Sequence, residues 1–129
     1  MRAFQMDEFI LARLGRLKGF TAGPAGLPWA ARQDGLVGWY RNPAPREGVL
    51  VLFTPDAMSV CDASGNTRVP FDEIDAVEGP RDKESADGVK VHCALGWVFI
   101  PFCGGHAAED RSVDAFELWS LVRGILKAK

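Results

Sequence analysis

Between Leu36 and Phe102 the sequence repeatedly offers a short β-prone run and then a cluster of turn formers, and a chain written this way is directed toward a bent antiparallel sheet. Residues 36–41, Leu-Val-Gly-Trp-Tyr-Arg, make a first strand that stops at Asn42-Pro43-Ala44-Pro45. Residues 48–54 and 57–61 flank Pro55-Asp56 and form a hairpin. After the turn cluster at 62–66, residues 67–71 give a fourth strand, with Pro70 placing it at an edge or a strand end. Residues 74–78 offer a fifth, and the polar stretch 79–88 reads as an exposed loop. Residues 89–94 and 97–102 complete the set as a hairpin around Leu95-Gly96.

That last hairpin fixes two faces. With Leu95-Gly96 as the turn, Cys93 faces Val98, His92 faces Phe99 and Val91 faces Ile100. Alternation then places Val89, Val91, Cys93, Val98, Ile100 and Phe102 on a core face, and His92, Trp97, Phe99 and Cys103 on the opposite one. An aromatic pair on the side away from the core leaves an apolar patch that something should cover. Either the N-terminal helix packs there, or a partner protein or a second copy of the chain does.

Helical spacing appears at both ends. Phe9, Ile10, Leu14 and Leu17 recur at three and four, which predicts an amphipathic helix over 6–18, led by Asp7 and Glu8 and trailed by Arg13, Arg16 and Lys18. Gly19 and the glycine/proline run at 22–28 stop it, and a connector runs to Gly35. Past Gly104-Gly105, Ser112 can cap a second helix whose apolar stripe is Ala115, Leu118, Trp119, Val122, Ile125 and Leu126, widened by Phe116.

Seven short strands followed by one amphipathic helix with a central tryptophan resembles the pleckstrin-homology and GRAM-like superfold, in its bacterial form in particular. Three segments carry the likeness. Residues 49–60, Val-Leu-Val-Leu-Phe-Thr-Pro-Asp-Ala-Met-Ser-Val, are similar to its threonine-aspartate hairpin. Residues 69–77, Val-Pro-Phe-Asp-Glu-Ile-Asp-Ala-Val, resemble its proline-containing strand end and the segment after it. Phe99-Ile100-Pro101-Phe102, with Asp114-Ala115-Phe116-Glu117-Leu118-Trp119 beyond, resembles its last strand and aromatic helix.

The resemblance implies a mainly β fold with α elements: a strongly bent seven-stranded antiparallel sheet or partly open barrel, capped by a C-terminal helix. It covers residues 36–129 as one domain and leaves residues 1–35 as an added N-terminal helix and connector. It also implies binding of phosphoinositides, peptides or partner proteins. Lipid-binding members use basic residues around the loop joining their first two strands, and the matching positions here hold Arg41 and Arg46. Two arginines separated by prolines, with Glu47 adjacent, make a poor phosphate cage.

Composition narrows the function classes. Fifteen basic and seventeen acidic residues leave a net charge of -2, which supplies no field that gathers nucleic acid or anionic lipid. Three cysteines without a Cys-x-x-Cys pair fit a reducing, cytoplasmic compartment better than a disulfide framework. Cys103-Gly104-Gly105-His106, with His92 and Cys93, offers ligand types for zinc and a thiol with an imidazole base. The alternation opposes zinc, because Cys93 points to the core while His92 and Cys103 point away, and no third orienting residue or oxyanion loop accompanies the thiol and imidazole. No metal and no cofactor is expected. The expectation is therefore a non-enzymatic module that recognises protein, a second copy of itself included, through Trp97, Phe99 and His92. The alternatives are an anionic ligand at Arg41 and Arg46, a small-molecule or enzymatic pocket near Cys103 and His106, and purely structural self-association.

Overall fold

A computed structural model describes residues 3–27, 35–44, 46–81, 87–105 and 113–129. Among these are two helices, α1 (Ala3–Leu14) and α2 (Asp114–Ala128), and eight strands: β1 (Phe20–Ala22), β2 (Gly38–Arg41), β3 (Leu50–Phe53), β4 (Ala57–Asp62), β5 (Gly65–Pro70), β6 (Ala76–Glu78), β7 (Gly88–Cys93) and β8 (Gly96–Pro101). They form two antiparallel sheets, ordered β1-β2-β3-β4-β5 and β6-β7-β8, which do not close into one.

The seven strands read from the alternation correspond to β2 through β8, and β1 is an eighth. Its three residues lie in what reads as connector, and they pair with β2 through Phe20↔Tyr40, Thr21↔Trp39 and Ala22↔Gly38. Too short to show alternation, β1 exists because its partner strand supplies the hydrogen bonds and a place for Phe20, whose ring lies 6.1 Å from that of Phe53.

The turns follow from local chemistry. Thr54 Oγ1 accepts from the Ala57 N–H at 3.2 Å in the β3–β4 turn. Asp62 Oδ1 accepts from the Ser64 N–H at 2.8 Å in the β4–β5 turn. In the β7–β8 hairpin the turn is Ala94-Leu95, one residue earlier than the sequence places it. Gly96, at φ 93°, sits just behind the turn in a conformation that side chains resist. The register is accordingly Cys93↔Gly96, His92↔Trp97, Val91↔Val98, Lys90↔Phe99 and Val89↔Ile100. The pairing moves by two residues, an even step, so every side chain keeps its expected face.

One core joins both sheets and both helices. Tyr40, Val51, Phe53, Met58 and Val69 from the larger sheet meet Val89, Val91, Cys93, Ile100 and Phe102 from the smaller one. From α2 come Leu118, Leu121, Val122 and Ile125, and from α1 come Met6, Ile10 and Leu14. Helix α1 spans Ala3–Leu14 and not 6–18, so Asp7 and Glu8 lie within it and not at its start. It packs on α2, where a Cβ on Gly124 would collide with the Phe9 ring; glycine there sets how closely the helices approach. The apolar stripe of α1 is thus spent inside the core and not on the aromatic face of β8. Ser112, read as the cap of α2, lies outside the described residues, and no side chain caps the helix at Val113.

Candidate functional site

The two sheets treat their outer faces differently. On the larger sheet Trp39, Leu50 and Leu52 point away from the core and are buried beneath Leu27, with Trp39 Nε1 donating to the Ala25 carbonyl at 3.1 Å. The chain covers that face with its own segment. On the smaller sheet the outward residues run in two cross-strand rows, Glu78–Lys90–Phe99 and Ala76–His92–Trp97. Trp97 is 55% exposed and Phe99 37%. Between Glu78, Lys90, Trp97 and Phe99 lies a depression of about 330 Å³.

The polar side chains of this face are held in place. His92 Nδ1 lies 2.7 Å from Asp75 Oδ1, and its ring meets Trp97 edge-on at 5.1 Å between centroids. Arg46, from the β2–β3 loop, sets its guanidinium 5.5 Å from the centre of the Phe99 ring. Arg41 goes elsewhere, 5.4 Å above Trp39 on the larger sheet. The structure therefore gathers His92, Trp97, Phe99 and Arg46 onto one surface, while the described contacts hold Arg41 and Arg46 over different rings.

Beside this surface lies a buried polar junction that sequence reading does not reveal. Tyr40 hydroxyl donates to Asp114 Oδ2 at 2.7 Å and accepts from the Gly104 N–H at 2.8 Å, with its ring stacked on Phe102 at 3.6 Å. Asn42, fully buried, donates through Nδ2 to the carbonyls of Val49 and Pro101, each at 3.0 Å, and accepts at Oδ1 from the Cys103 N–H at 2.9 Å. These contacts pin the end of β8 against β2 and the start of α2. In sequence Asn42 reads as a turn former and Asp114 as a helix-start acid; only their meeting across distant segments gives them this role.

The junction has a pH signature. Burial, then the Asp114 carboxylate, pushes the Tyr40 phenol well above its ordinary range. Burial also raises Asp114, the Tyr40 hydroxyl pulls it partly back, and Glu117 adds to the rise. A phenol raised on folding contributes stability that is intact below its unfolded value of about 10 and is lost as pH climbs above it. Tyr40 is the chain's one tyrosine, so tyrosinate absorbance reports on it alone. We expect no phenolate signal near pH 10 in the folded protein, and its appearance together with unfolding at higher pH.

Burial raises the Cys103 thiol as well, with Arg46 opposing, and Cys103 Sγ lies 3.7 Å from the Pro43 carbonyl. A thiol shifted this way is protonated near neutral pH and is a weak nucleophile. Cys93 is buried on the core face, opposite in direction to His92. His106 lies outside the described residues. A second cleft, about 430 Å³, opens between the start of α1, the end of α2 and the β4–β5 end of the larger sheet; Asp56, Arg68, Asp72, Glu73 and Lys129 are among the residues that line it.

Compared with family models, with curated proteins and with solved structures, the chain matches none. Among the described residues no helix is long and apolar enough to cross a membrane.

Proposed function

We propose that the chain is a non-enzymatic binding module on a pleckstrin-homology-like scaffold, working by protein–protein recognition through the outer face of β6–β8. Four antiparallel strands, β2 to β5, followed by three, β6 to β8, and then a helix packed on β6 and β7 support the scaffold, with α1 and β1 as additions to it. The observation that carries the function is the exposed pair Trp97 and Phe99, on a fold whose other outer apolar face is buried under its own chain. Aromatic anchors flanked by acids, Glu78 and Asp75, as well as bases, Lys90 and Arg46, suit a protein surface. An anionic membrane calls instead for a cluster of bases, each worth about 1 kcal/mol.

The test is recovery of bound proteins, untagged copies of the chain included, by the tagged chain in its native cell. Trp97→Ala and Phe99→Ala are expected to reduce that recovery, each weakening binding about tenfold or more. Unchanged recovery by both variants would sink the proposal. So would strong, salt-sensitive binding to phosphoinositide vesicles that survives both substitutions.

A further inference from the structure

The backbone of β8 shows how its face is completed. Phe102 N–H donates to the Asp87 carbonyl at 2.8 Å, one step beyond the Gly88↔Pro101 pair. In an antiparallel ladder alternate residues exchange bonds with the neighbouring strand, so Ile100, Val98 and Gly96 bond to β7. Trp97, Phe99 and Pro101 must then direct their N–H and C=O groups the other way. Pro101 bears this out, since its carbonyl accepts from Asn42 on the side away from β7. On the far side of β7 the same alternation gives the Asp75 N–H bond to the His92 carbonyl at 3.0 Å. Among the described residues the N–H and C=O of Trp97 and Phe99 meet no other backbone on this edge.

Open edges are ordinarily guarded by charge, proline or shortness. The other three edge strands have such guards: β1 has three residues, β5 carries Arg68 and ends in Pro70, and β6 has three residues ending in Glu78. Strand β8, Gly-Trp-Val-Phe-Ile-Pro, holds no charge, and proline enters only at its last position. The open window is short: Gly96 adjoins the turn, and Pro101 lacks an N–H and has its carbonyl occupied. What fits is a short strand that meets the backbone groups of Trp97 and Phe99 at positions two residues apart, with side chains that pack on those two rings.

The geometry points to a second copy of this chain as that strand, with β8 pairing antiparallel to β8 about a twofold axis at Val98. This inference rests on reading the β8 face as a recognition surface and names its partner. The axis sets Trp97 of one copy opposite Phe99 of the other, and the reverse. Both residues fall in hydrogen-bonded positions, so each open N–H and C=O finds a partner. The four aromatic side chains line up on the outer face, and the half-buried Val98 meets its counterpart on the inner one. A net charge of -2 opposes the approach only weakly. The contact is self-complementary, as a twofold interface requires.

Sedimentation velocity on the purified full chain over a wide concentration range tests this, with circular dichroism confirming that each variant is folded. The native sequence is expected to show a reversible monomer–dimer equilibrium. Trp97→Glu with Phe99→Glu sets like charges opposite each other across the axis and is expected to raise the dissociation constant about a hundredfold or more. Trp97→Lys with Phe99→Glu sets opposite charges there and is expected to restore at least about tenfold of that loss, a recovery that depends on this register. A native chain that stays monomeric throughout, a glutamate pair that associates like the native chain, or a lysine–glutamate pair without recovery overturns the inference. A monomeric native chain whose alanine variants still lose a captured protein removes the second copy alone. A monomer whose alanine variants lose nothing removes the recognition surface too.

Discussion

Phe102→Ala is expected to lower the free energy of unfolding by about 3–5 kcal/mol, the range for emptying a buried aromatic site. The side chain is fully buried, stacked on Tyr40 at 3.6 Å and edge-on to Phe53 at 6.3 Å. It stands where the two sheets and the approach to α2 meet, so neighbours from several elements would have to shift together to fill the space. Stacking on Phe102 also holds the Tyr40 ring in place, so the substitution loosens the hydroxyl's grip on Asp114 and Gly104. Denaturant unfolding reads the effect as a lower midpoint at unchanged slope. Phe102→Leu keeps much of the volume and should cost less. A loss below about 1 kcal/mol for Phe102→Ala would show that this position is not part of a close-packed core.

Asn42→Ala is expected to cost roughly 3 kcal/mol, although the side chain is small and polar. It leaves the carbonyls of Val49 and Pro101 and the N–H of Cys103 without their side-chain partner, and a buried unpaired group costs about 1–3 kcal/mol. The penalty falls short of a simple total because Val49 carbonyl also accepts from the Asn42 N–H, at 3.4 Å. Asn42→Asp separates hydrogen bonding from volume. A carboxylate can accept from Cys103 but cannot donate to the two carbonyls, so it should not rescue the alanine variant. Because Asn42 Oδ1 is the acceptor for the Cys103 N–H, the alanine substitution should also speed amide exchange there, and the aspartate substitution should do so less. Full stability in the aspartate variant would contradict this arrangement.

The extent to which the fold was legible in sequence follows from the range of each interaction. The core face of β7 and β8 was readable because strand alternation depends only on parity, and the two-residue difference in register preserved it. The turn itself was misplaced because glycine suits a turn by composition and alanine does not, so Gly96 was read into the turn and Ala94 into the strand. What decides the placement is the backbone of Gly96, fixed once β7 and β8 pair. Strand β1 and the burial of Ile10 and Leu14 were not readable, since three residues carry no period and an amphipathic stripe does not say what it packs against. At the site, the outward direction of Trp97 and Phe99 followed from alternation alone, whereas their exposure depends on α1 packing into the core instead. The recruitment of Arg46 to Phe99, the pairing of His92 with Asp75 and the Tyr40–Asp114 contact all join residues far apart in the chain. Composition and spacing contain none of these.

The recognition surface proposed on β8 is tested most directly by residue-resolved amide exchange on the native chain, dilute and then concentrated. In dilute solution the N–H groups of Val98 and Ile100 should be protected by β7, while those of Trp97 and Phe99 exchange freely. On raising the concentration, protection should appear at Trp97 and Phe99 and leave Val98 and Ile100 as they were. Protection of Trp97 and Phe99 already complete at dilution, or free exchange there at every concentration, would contradict the pairing of β8 with a second copy.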